Sequence, residues 1–136
     1  MIEITINQEQ VVAKFGFKAL FDANKKYSNT NAEGVSLEDG AAMMFYRLIN
    51  EDPTALVSII DVTVPGKYSD DDIYSAIETM TDGGSKIGET LKSFKEELIQ
   101  SGFFKKAVDN QVKAMEKALV NLKKKEDTED QVKSVA

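Results

Sequence analysis

Breakers divide this chain into short stretches that a helix cannot cross unbent. Asp52-Pro53, Val64-Pro65-Gly66, Asp82-Gly83-Gly84 and Ser101-Gly102 fall between runs of apolar residues spaced three and four apart. Proline lacks the amide that an interior helical turn requires, and it pushes the residue before it out of the helical region. Glycine accepts the left-handed backbone with which many helices end. The longest apolar run, Ala41 to Tyr46, falls far short of the roughly 20 residues that cross a bilayer.

The segments between the breakers can be read one by one. Ile2, Ile4 and Ile6 alternate with polar residues, the pattern of a half-buried strand. Asn7 to Gln10 is polar and reads as a turn. Val11 to Phe15 supplies a second strand, giving a short N-terminal β-hairpin that must pack on something to persist. Phe17, Leu20 and Phe21, continued by Asn24 and Tyr27, mark a helix over about 17–27. Residues 28–35 are small and polar and read as a loop. Ser36 is expected to cap a second helix whose shared face is Leu37, Ala41, Met44, Phe45 and Leu48.

Asp52-Pro53 is both a stop and a start: an acid at the cap, then proline at the first helical position. The segment from Pro53 to about Val62 is apolar nearly all round and reads as the central helix, although its β-branched end also fits a strand. Ser69 caps the next helix, with Asp70, Asp71 and Asp72 where the macrodipole favours anions. Ile73, Ala76, Ile77 and Met80 form its inner face. A further helix is expected from Ser85 to Gln100, and a last one from Phe103 to about Lys125. The expected fold is α+β and predominantly helical: one hairpin and about six helices. No repeat or linker splits it, so residues 1–125 are expected to form a single globular domain. The charged tail, 126–136, is expected to be disordered.

Composition restricts the chemistry. The 136 residues include no His and no Cys. That removes thiolate metal sites, thiol nucleophiles, the commonest general base and any Ser-His-Asp triad. The chain is therefore expected to be no enzyme, with no cofactor and no metal. The net charge of −6 is uneven: −8 over residues 1–100, +5 over 101–125 and −3 over 126–136. An acidic body argues against nucleic acid as a partner, and the candidate recognition helices of a helix-turn-helix, 36–51 and 69–80, are themselves acidic. Met1-Ile2-Glu3-Ile4 lacks a basic region followed by an apolar run, so no signal peptide and no membrane association are expected.

Three motifs have plain explanations. Asp70-Asp71-Asp72 are consecutive at a helix start, whereas calcium loops alternate their acids around a glycine. Asp82-Gly83-Gly84-Ser85-Lys86 lacks the glycine-lysine order of a phosphate loop and reads as a helix break. Glu38/Asp39 and Glu96/Glu97 are adjacent on helices and point apart, unlike a catalytic carboxylate pair.

The last helix carries the most informative pattern. Val108, Val112, Met115, Leu119 and Leu122 are spaced 4, 3, 4 and 3, the seam with which one helix lies along another. Two readings fit: the stripe packs on the protein's own body, or part of it serves self-association or partner binding. Met43, Met44, Met80 and Met115 fit either core filling or an adaptable contact surface.

Several features occur in a fixed order. A strand pair runs into Lys14-Phe15-Gly16-Phe17-Lys18-Ala19-Leu20. Asp52-Pro53 follows a central helix, a Ser-capped acidic helix spans 69–80, and Ser101-Gly102-Phe103-Phe104 opens a Lys-rich helix. Over most of residues 1–125 this order, with the length and acidity, resembles the tail assembly chaperone family of long-tailed phages (siphophages and prophages) of Gram-positive bacteria. The resemblance implies a non-enzymatic protein that binds the tape measure protein and keeps it soluble during tail assembly. It implies the bacterial host cytoplasm as the location, and absence from the mature virion. It also implies as partners the tail tube protein, a frameshifted longer form of the chain and further copies in a homo-oligomer. The competing reading is a small acidic phage or bacterial adaptor or regulator that binds a host protein.

Overall fold

A computed structural model describes residues 1–110, 112–114, 116, 117, 120 and 121. β1 (Glu3–Ile6) and β2 (Glu9–Val12) form a two-stranded antiparallel hairpin in which Ile6 faces Glu9. Its turn has only two residues, Asn7 and Gln8, at φ of 52° and 68°. Two central residues at positive φ match the twist of the flanking strands, which is why so short a turn suffices. Glu9 and Gln10 therefore belong to the ladder, not to the turn expected from their polarity. The second strand also stops early. The Ala13 amide still donates to Ile2, but the Lys14 amide donates to the Thr63 carbonyl (2.7 Å), so the chain leaves the hairpin there. Ile4 and Ile6 point inward and are buried.

Helices α1 (Phe17–Tyr27), α2 (Gly40–Ile49), α3 (Ala55–Thr63), α4 (Asp70–Met80) and α5 (Ile87–Gln100) follow. A sixth, α6, runs over 102–110 and continues at 112–114, 116, 117, 120 and 121. The fold is α+β and mostly helical. α3 is the central helix: seven of its nine residues are buried, and it touches α1, α2 and α4. Its β-branched end is helical to Thr63, whose hydroxyl donates back to the Ile59 carbonyl. β1 lies against α4, and α5 against α2.

The helix starts show what local sequence can and cannot specify. At α4, Ser69 accepts from the Asp72 amide and the Asp72 carboxylate accepts from the Ser69 amide, a complete capping box. At α2, the expected cap at Ser36 is three residues too early, and Leu37 is exposed. The orphan amides of α2 are satisfied from another helix. Gly40 donates to the Ser28 hydroxyl (2.9 Å) and Ala41 to the Asn24 side chain (3.0 Å). These bonds draw α1 and α2 together so closely that a Cβ on Gly40 would lie 1.9 Å from the Ala23 carbonyl oxygen. α3 begins with a tight turn at 53–54, in which Asp52 accepts from the Thr54 amide and hydroxyl. Arg47 clips α2 to this turn, donating to Asp52, Thr54 and Ser58. Asp82, Gly83 and Gly84 all take positive φ and end the α4 segment, and α5 starts at Ile87 rather than Ser85.

Candidate partner-binding surface

The residues around the start of α1 divide between inside and outside. Gly16 precedes the helix, and the Ser101 hydroxyl donates to the Phe15 carbonyl at 2.6 Å. That single bond joins positions 86 residues apart and brings the starts of α1 and α6 together. Two phenylalanines of this junction turn inward. Phe15 meets Phe94 and Phe104 at ring separations of 6.3 and 6.0 Å, and Phe94 and Phe104 are fully buried. Three turn outward: Phe17 is 62%, Phe21 56% and Phe103 54% exposed.

The outward three form one cluster. Phe17 stacks on Phe21 at 6.5 Å, one helical turn away, and meets Phe103 edge-on at 5.7 Å. Contacts of this kind contribute about 0.5–1.5 kcal/mol beyond burial, so the rings support one another while keeping much of their surface in water. A shallow depression of about 510 Å³ adjoins the cluster, bounded by Leu20, Phe21, Lys25 and Glu38. Exposed aromatic clusters are characteristic of binding surfaces, where Trp, Tyr, Phe and Met are enriched.

The spacing of Phe17, Leu20 and Phe21 identified the helix but not the face that packs. The buried residues of α1 are Ala19 and Ala23. Small side chains permit the close α1–α2 approach, and the aromatic side is left outside. The signal available in sequence was the excess: α1 carries an aromatic side and a small-residue side, and a short helix on a surface buries only one of them.

The five stripe residues of the last helix fall in different places. Val108 is 4% exposed and part of the core, and Val112 is half-buried against it. Met115, Leu119 and Leu122 lie outside the described residues. Of the other methionines, Met44 is buried, and Met80 packs half-buried on the core.

The charged groups nearby are mostly engaged with one another. Lys18 donates to Asp22, and this bond holds the Asp22 carboxyl below its usual range. The Tyr27 hydroxyl donates to Asp61 (2.6 Å), and Lys26 approaches the same carboxylate at 3.4 Å. Burial first, and then the Asp61 carboxylate, push the Tyr27 phenol above its ordinary value. Among the described residues no group of three or more acids could hold a metal ion, and no helix is long and apolar enough to cross a membrane. Asp72 caps its helix, and hydrogen bonds from the Asn7 side chain and from Ser69 keep its carboxyl low.

No curated protein and no solved structure matches this chain. A family model described as phage tail assembly chaperone protein, TAC, matches residues 3–113. The match takes in the hairpin, helices α1 to α5 and the start of α6, including every aromatic residue of the exposed cluster, and the chain belongs to that family.

Proposed function

We propose that this member of the tail assembly chaperone family binds the tape measure protein and keeps it soluble while the tail is built. It acts as a binding protein and not as an enzyme, in the bacterial host cytoplasm, and is left out of the finished virion. The observation that carries this reading is the exposed Phe17–Phe21–Phe103 cluster on a chain of the chaperone family. A long helical client exposes apolar seams before tube subunits cover them, and a chaperone must shield those seams reversibly, as helix-in-groove binders do. Rigid aromatic side chains suit that task because they bury a large area at little entropic cost. The net charge of −6 opposes self-aggregation of a crowded complex. On the strength of spacing alone, Met115, Leu119 and Leu122 join the contact or serve self-association, while Val108 and Val112 hold the start of α6 to the body. The tail tube protein and a frameshifted longer form of the chain are further partners in this scheme.

The test is co-expression of the full chain with a tape measure protein of a long-tailed phage. The wild-type chain should move that client into the soluble fraction. The double substitution Phe21→Ser and Phe103→Ser should abolish the effect while leaving the circular dichroism spectrum unchanged, because both rings are more than half exposed. Undiminished solubilisation by the double variant would remove the aromatic cluster from the mechanism.

A further inference from the structure

A second concavity lies on the other side of Phe17. It is a groove of about 700 Å³ between α1 and the connection from α3 to α4, within the roughly 300–1,000 Å³ of ligand-sized clefts. Phe17 forms one apolar wall, and Pro65 and Tyr68 form the other. Gly66 shapes this second wall. It sits at φ +107°, a backbone conformation that other residues rarely adopt, and lies in van der Waals reach of the Tyr68 ring. The floor is made from the buried edges of Ile60, Val62 and Ile73.

The charge of the groove runs against that of the molecule. Four lysines line it, Lys14, Lys18, Lys26 and Lys67, against two aspartates, Asp22 and Asp61. Both aspartates are already engaged: Asp22 by Lys18, and Asp61 by Lys26 and the Tyr27 hydroxyl. Lys14 and Lys67 are exposed and have no carboxylate within ion-pair distance among the described residues. An apolar cleft with two uncommitted cations is thus set in a chain of net charge −6.

We propose that this groove docks a polypeptide segment in which a large apolar side chain is flanked by carboxylates, held by Lys14 and Lys67 at the rim. The occupant follows from charge complementarity. A basic segment would meet two unpaired lysines and find both aspartates occupied, whereas an acidic one gains both lysines without breaking an existing pair. A polypeptide fits better than a nucleic acid, because the walls are an exposed phenylalanine and a proline-tyrosine turn, and two uncommitted lysines are too few to track a phosphate backbone. The proposal deepens the chaperone reading, since it says which segments of a client the molecule would select.

The experiment uses the full chain and two synthetic amphipathic peptides that share one leucine stripe and differ only in carrying glutamate or lysine beside it. The wild-type protein should bind the glutamate peptide about tenfold or more tightly than the lysine peptide, and added salt should shrink the difference. Lys14→Glu with Lys67→Glu should abolish or reverse the preference; both side chains are exposed, so the fold is retained. Ile49→Ser, at an exposed position that lines neither the groove nor the depression beside the aromatic cluster, should leave the preference intact. Equal binding of the two peptides would overturn the proposal, as would a preference that survives the double charge reversal. Stronger competition by a single-stranded oligonucleotide than by the glutamate peptide would overturn it too. A wild-type chain that discriminates the peptides yet fails to solubilise the tape measure protein would retain the groove and reject the chaperone reading. Solubilisation without discrimination would do the reverse.

Discussion

Tyr27 shows how one side chain couples the fold to pH. Its hydroxyl donates to the Asp61 carboxylate at 2.6 Å, joining the end of α1 to α3. Ionising the phenol would set two negative oxygens against each other in a partly buried site. Burial, and next the carboxylate, accordingly raise the folded pKa above the ordinary value. The folded state holds this proton more tightly than the unfolded chain does. The stability gained is complete below the unfolded value of about 10 and is lost as pH rises through it towards the folded value. The urea midpoint should therefore hold level from neutral pH to about 9 and decline above about 10, and Tyr27→Phe should remove much of that decline. Identical alkaline profiles for the two proteins would show that the Tyr27–Asp61 bond has no such role. Nothing in the sequence announced the pair: residues 27 and 61 are 34 positions apart and meet through the packing of α1 on α3. The burial of Ala19 and Ala23 on α1 leaves Phe17 and Phe21 outside, which periodicity alone did not reveal.

Among the elements, the starts of α4 and α2 separate local from non-local information. At α4 the capping residue, the reciprocal acid and the helix lie within four consecutive positions, so Ser69 was legible as a cap. At α2 the caps come from Asn24 and Ser28, more than ten residues upstream, and no local pattern at Ser36 could have revealed them. Breakers were legible for the related reason that Pro53 and the Asp82-Gly83-Gly84 turn act on their own backbone. The hairpin boundary was not, because the two-residue turn at Asn7-Gln8 depends on the pairing of Ile6 with Glu9. Ser69→Ala removes the hydroxyl that accepts from the Asp72 amide and should cost about 1 kcal/mol, the usual loss for an N-cap. Denaturant unfolding measures it. A change within about 0.2 kcal/mol would mean that the remaining half of the box, Asp72 to the Ser69 amide, suffices.

At the scale of the whole molecule, the N-terminal segment closes on α5 and the start of α6. The N-terminal amino group pairs with Glu97, Ser101 bonds to Phe15, and Phe15, Phe94 and Phe104 share one aromatic cluster. The start of α6 is thus part of the core, with Phe104 1% and Val108 4% exposed. Phe103, its neighbour, is where that core gives way to the exposed surface. This arrangement supplies a rigid base for a binding surface, because Phe17 and Phe103 are placed by helices anchored one residue or one turn away. It also divides the seam of the last helix, whose first residues serve the fold. Phe104→Ala should therefore destabilise the protein by about 3–5 kcal/mol, the range for a buried phenylalanine. Such a loss is a large share of the roughly 5–15 kcal/mol that holds a domain folded. It should appear as an earlier, still single transition in urea, followed by circular dichroism and by intrinsic tyrosine fluorescence together. A loss below about 1 kcal/mol, or a separate early transition confined to part of the helical signal, would mean that α6 folds apart from the body. The Phe17–Phe103 contact would then lack the rigid base that the proposed binding surface requires.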